Sequence, residues 1–87
     1  MKVELLVADW SPSCRRAEAV WRQVAHERAI DFEVVDVDQP HGQALMQRLQ
    51  LKTIPALLID GQLVAIGVQN EQAARAILDD PQRNTRP

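Results

Sequence analysis

The sequence predicts a single α/β domain, ordered β-α-β-α-β-β-α, around a four-stranded mixed sheet. Three observations predict it. An apolar run from Val3 to Ala8 is followed at once by a strong helix start at Ser11-Pro12. A second run, Phe32 to Val37, leads into Pro40-His41-Gly42, where another helix begins. A third, Ala56-Leu57-Leu58-Ile59, starts directly after a proline and ends in Asp60-Gly61, a strong two-residue hairpin signal.

Each element has a local reason. The first strand, Val3 to Ala8, is apolar on both faces apart from Glu4, as expected of a central strand covered on both sides. Ser11 suits the N-cap of the first helix, and Pro12 suits its first turn, where the missing N–H costs nothing. Cys14, Ala17, Val20, Trp21, Val24 and Ala25 then recur at helical spacing and form the expected buried face. Arg15, Arg16, Glu18, Arg22, Gln23 and Glu27 fall mainly on the outer face. The second helix is short and carries Ala44, Leu45, Met46 and Leu49, and the fourth strand is Leu63 to Ile66. Ala73, Ala74, Ile77 and Leu78 mark the last helix, which Asp79-Asp80-Pro81 ends. Residues 81–87 form a polar tail that is expected to fray. No repeat, linker or second domain is visible.

Composition narrows the function classes. A chain of 87 residues forms one core and buries a modest fraction of its surface. Aliphatic residues must supply that core, because the aromatics are only Trp10, Trp21 and Phe32. A net charge of −2 gives no electrostatic case for nucleic acid or an anionic membrane. No apolar run approaches the ~20 residues of a membrane span, and Glu4 breaks the apolar stretch straight after Lys2, so no signal-peptide pattern is present. One cysteine excludes an internal disulfide and fits a reducing compartment, with the cytoplasm as the expected location. His26 and His41 have no partner at metal-ligand spacing, so neither a metal nor any other cofactor is expected, and both read as solvated positions. Asp36 and Asp38 read as exposed strand-end residues, and Arg15 and Arg16 as a solvated helix face.

The stretch that bears chemistry is Trp10-Ser11-Pro12-Ser13-Cys14. It has the form of a Cys-x-x-Cys redox motif, placed after a first strand and opening a helix, with serine in the first cysteine's place. Further on, Thr53-Ile54-Pro55 begins a strand, a place where proline is tolerated and where a cis peptide is cheap. Together with Ala8-Asp9-Trp10, Val35-Asp36-Val37-Asp38 and Gly67, these segments resemble the thioredoxin/glutaredoxin superfamily over about residues 2–79. The resemblance implies a thioredoxin-like fold over residues 1–80, with a cis-proline loop at Ile54-Pro55 lying beside the motif. It implies that Ser11 holds the nucleophile position and Cys14 the resolving one. It also implies that Trp10, Pro12, Ile54 and Pro55 meet a protein disulfide or peptide partner.

The chemistry of such a site is thiolate chemistry. A thiol at a helix N-terminus has its thiolate stabilised by the dipole and free N–H groups. It attacks a disulfide, and a second thiol resolves the mixed disulfide. A serine hydroxyl can do neither, so the chain as written is redox-impaired. Ser11 is then either a natural loss or a laboratory replacement, and the chain is either an oxidoreductase relative lacking its nucleophile or a non-catalytic binding module. Cys14 reads equally as a reactive monothiol and as a small buried hydrophobe. Two departures add to this. Thioredoxins carry a buried acid six residues before the nucleophile, where this chain has Leu5. Glutaredoxins carry Gly-Gly where this chain has Ile66-Gly67-Val68-Gln69-Asn70, which puts glutathione use in doubt.

Overall fold

In a computed structural model, residues 1–79 are described; Asp80-Pro81 and the 81–87 tail lie outside the described residues. The elements are β1 (Lys2–Val7), α1 (Pro12–Arg28), β2 (Asp31–Asp36), α2 (Pro40–Arg48), β3 (Ala56–Ile59), β4 (Gln62–Ile66) and α3 (Glu71–Leu78). The sheet order is β2-β1-β3-β4, with β1–β2 parallel and the other two pairings antiparallel. The expected α/β architecture and element order are therefore present. β1 and β2 each begin and end one residue earlier than the apolar runs suggest, so Ala8 and Val37 follow their strands rather than closing them.

Alternation along the strands sorts the core into two layers. Val3, Leu5, Val7, Leu57 and Ile59 pack with Cys14, Ala17, Trp21 and Val24 of α1 and with Ala74 and Leu78 of α3. Leu6, Val35, Ala56 and Leu58 face the other way and pack on Leu45 of α2. The helical face of α1 is as expected, except that Val20 is half-buried rather than buried. In α2, Leu45 is buried while Ala44 is exposed, so the helix seats a narrower stripe than its apolar residues suggest.

Three local features hold the layers in place. The β3–β4 connection is Asp60-Gly61, both at positive φ (50° and 84°), as a type I′ hairpin turn requires. The start of α2 lies hard against the end of β2: a Cβ built on Gly42 would stand 2.2 Å from the Asp36 carbonyl oxygen. Two ion pairs tie α3 to α1. Arg75 donates to both carboxylate oxygens of Glu27 at 3.0 and 2.9 Å, and Arg28 clasps the Asp79 carboxylate.

Gly42→Ala tests the α2 seat. Helix propensity alone would favour alanine by about 1 kcal/mol. The obstacle here is backbone rather than a flexible side chain, so overpacking wins, and a net loss of about 1–3 kcal/mol is expected in urea unfolding. A stabilised variant would show that α2 can lift off β2 without penalty.

The ion pairs carry a pH signature. Hydrogen bonding and charge from Arg75 hold the Glu27 carboxyl below its ordinary 4.5, and Arg28 holds Asp79 below 3.8 by the same means. The unfolded carboxyls bind protons more tightly, so this contribution is complete above the unfolded values and is lost as pH falls through the lowered native ones. Arg75→Gln should flatten the loss of stability between about pH 5 and pH 3, measured by urea unfolding at stepped pH. The effect should be small, because both pairs are exposed to solvent.

Candidate functional site at the end of the sheet

The chain leaves β1 at Val7 and enters α1 through a short hydrogen-bonded turn, in which the Cys14 N–H donates to the Ser11 carbonyl at 3.1 Å as well as to its hydroxyl. The Ser11 N–H donates to the Ala8 carbonyl at 3.2 Å. The Ser11 hydroxyl accepts the Cys14 N–H at 3.4 Å, making Ser11 the N-cap of α1, with extended backbone and Pro12 directly after it. The Ala8 N–H points at the Cys14 sulfur at 3.4 Å. Ser11 is 8% exposed and Cys14 only 2%. Trp10, in the same turn, is 76% exposed, and Pro12 is also at the surface.

The antiparallel register brings a second segment to this end of the sheet. Leu6 opposes Ala56, so the residues before β3 run alongside those that follow β1. The Ile54–Pro55 peptide is cis, Pro55 is buried, and half-buried Ile54 packs against the core cluster that contains Cys14. The Pro55 carbonyl accepts the Gly67 N–H at 2.8 Å, which draws in the end of β4. Exposed Ile66 and Val68 flank that glycine. A cleft lined by Val7, Ala8, Asp9, Cys14, Arg15 and Glu18 also opens here, and its wall includes none of Trp10, Ile54 or Pro55.

A family model described as "Thioredoxin domain" matches residues 1–79. The chain belongs to that family. No curated protein matches it. Among solved structures, it is similar to a mutant thioredoxin from Halobacterium salinarum NRC-1, with 27% identity over 90% of this chain and 71% of that one, at a TM-score of 0.73. It also resembles thioredoxin from Fasciola hepatica, at 23% identity over 90% of this chain and 78% of the other, with a TM-score of 0.67. Thioredoxin 1 from Thermosipho africanus shares 20% identity over 97% of this chain and 94% of its own, with a TM-score of 0.66. The last two likenesses are of fold alone.

Within this thioredoxin domain, two polar contacts escape a reading of the sequence. Glu4 is buried, and the Nε2 of His41 lies 3.0 Å from its carboxylate. His41 is therefore not a simple solvated position, although most of its ring faces water. The fully buried Trp21 donates its indole N–H to Gln69 at 3.2 Å, and Gln69 in turn donates to the Ile66 carbonyl, bracing the β4–α3 loop. The only sequence hint of either is a polar side chain inside an apolar pattern, since the partners lie 37 and 48 residues apart. Arg15 and Arg16 are exposed as read, Arg15 donating to the Asp9 carbonyl and Arg16 to the Ser13 hydroxyl, whereas Glu18 is half-buried in the cleft wall. Asp36 is also half-buried, and its carboxylate accepts the Asp38 N–H at 2.8 Å.

Burial decides how the thiol should react. Cys14 should label with iodoacetamide at least about tenfold more slowly in the native chain than in urea, because reagent reaches it through local opening. Equal rates would mean that the turn at Ala8 to Ser11 opens freely.

Proposed function

We propose that this chain is a relative of the thiol–disulfide oxidoreductases that retains their partner-binding end but, with Ser11 at the nucleophile position, does not complete the dithiol cycle. The observation that carries the proposal is the use made of Ser11: its hydroxyl caps α1 and accepts the Cys14 N–H. In a dithiol enzyme a thiolate at this point forms a bond to one substrate sulfur and the substrate S–S bond breaks. The expelled sulfur leaves as a thiolate and takes up a proton, and the second thiol then resolves the mixed disulfide. Ser11 supplies no thiolate for the first step. Cys14, almost wholly shielded, is poorly placed to make that attack in its stead.

What the chain keeps is a surface. Trp10 and Pro12 stand exposed beside the capped helix, with Ile54 and the buried Pro55 at the same end of the sheet. A large exposed aromatic beside apolar neighbours suits contact with a partner, since such residues carry much of an interface's energy. The reading is therefore of a module that holds a protein or peptide segment there, in a reducing compartment such as the cytoplasm, and whose partner is neither nucleic acid nor membrane.

The test is insulin-disulfide reduction with dithiothreitol. The Ser11 form should not exceed the uncatalysed rate, and Ser11→Cys should gain turnover, limited by the apolar Leu5 where an acid would assist proton transfer. Clear turnover by the Ser11 form would overturn the assignment of position 11 as the nucleophile's place. In the Ser11→Cys background, Trp10→Ala should raise KM by about tenfold if Trp10 is a contact residue.

A further inference from the structure

β2 ends the sheet on one side, and among the described residues nothing pairs with its outer edge. The hydrogen bonding shows which groups are free there. The Val37 N–H donates to the Val7 carbonyl at 2.9 Å, so Val37 faces β1. In a parallel ladder each residue turns its N–H and C=O to one side and its neighbours turn theirs to the other. Glu33 and Val35 therefore also face β1, and Phe32 and Val34 present a donor and an acceptor each to solvent. Asp36 turns outward as well, but its carbonyl accepts the Gln39 N–H at 3.0 Å and its carboxylate the Asp38 N–H. The open edge is thus short and centred on Phe32 to Val34.

The side chains along it are of two kinds. Phe32 and Val34 are half-buried and pack against the α1-side core, leaving apolar surface uncovered at the rim. Asp31 and Glu33 lie exposed on the opposite face, and β2 carries no basic residue. Glu4 is buried and paired with His41, and Lys2 reaches Glu33 at 3.3 Å, so among the exposed rim groups Lys2, Asp31 and Glu33 one net negative charge remains.

We propose that the outer edge of β2 accepts an extended strand from a partner protein, by β-strand addition, and that the strand's side chains alternate between apolar and basic. The backbone of Phe32 and Val34 supplies the ladder, and alternate side chains supply the selection. Apolar residues of the added strand complete the rim beside Phe32 and Val34, while its basic residues meet Asp31 and Glu33. A second copy of this chain is disfavoured at the same edge, because an antiparallel β2–β2 pairing sets acidic residues opposite acidic residues. The charges that blunt self-association thus select a basic partner. The proposal uses neither Ser11 nor Cys14, so its failure leaves the reading of that site untouched.

The experiment uses the full chain, ¹⁵N-labelled, with an end-blocked Lys-Val-Lys-Val-Lys-Val peptide and its Glu-Val counterpart at low salt. The basic peptide should slow amide exchange at Phe32 and Val34 at least about tenfold. The acidic peptide should bind about tenfold more weakly, and Glu33→Lys should narrow or invert that preference. Val34→Pro removes one outward donor and no inward one, so it should abolish binding while circular dichroism stays native. If that variant does not fold, the exposed Glu33→Lys decides. Absent protection at Phe32 and Val34, equal binding of both peptides, or protection confined to β4 would overturn the proposal. So would a dimer by sedimentation whose β2 amides are already protected without peptide, since that would assign the edge to a second copy.

Discussion

The antiparallel pairing of β1 with β3 is the constraint on which the rest of the molecule depends. Both strands are buried along nearly their whole length and bonded on both sides, so their register cannot slip without turning two apolar faces inside out. With Leu6 opposite Ala56, that register carries Ile54-Pro55 to the end of the sheet where α1 begins. Gly67 follows, because the Pro55 carbonyl holds its N–H. The candidate site is thus assembled from three separate segments by one strand pairing and a few backbone hydrogen bonds, and its exposed side chains contribute little to holding it together.

The same alternation explains how a carboxylate can sit on β1 and still be of no use to Cys14. Leu5 shares a core cluster with the thiol, while Glu4, one residue away, points to the other face and pairs with His41 of α2. A carboxylate at Leu5 would have to be buried among Val3, Val7, Trp21 and Leu57. Unless it were protonated or hydrogen-bonded, it would bear the full desolvation penalty of a charge. Leu5 thus adds to the core at a point where a carboxylate would weaken it, and Ser11 caps α1 a few residues further on.

What was legible in the sequence was what is encoded locally. The Ser11-Pro12 helix start needs only neighbouring residues to form, and so does the Asp60-Gly61 turn with its two positive φ angles. The buried face of α1 follows from spacing alone. The ends of β1 and β2 were less legible, because a strand stops where its partner stops bonding, and that partner is distant in the chain. Glu4 with His41 and Trp21 with Gln69 were not legible, since nothing near either member names its mate. Gly42 was visible only as part of a helix start, and its closeness to Asp36 emerges once β2 and α2 are folded together. Of the site, residue types and order were readable, but not that the cleft beside Cys14 excludes Trp10, Ile54 and Pro55 from its wall.

The two tryptophans stand at opposite extremes, and this gives the molecule a pair of separable optical reporters. Trp21 is sealed in the core with its indole N–H bonded to Gln69, whereas Trp10 stands largely in water beside the capped helix. Unfolding must move Trp21 from an apolar setting into solvent and leaves Trp10 nearly unchanged. Occupancy of the surface around Trp10 does the reverse, shifting its emission and shielding it from aqueous quenchers while Trp21 stays dark to the event. Intrinsic fluorescence of the unmodified chain can therefore tell a ligand seated at Trp10 from one bound elsewhere on the fold.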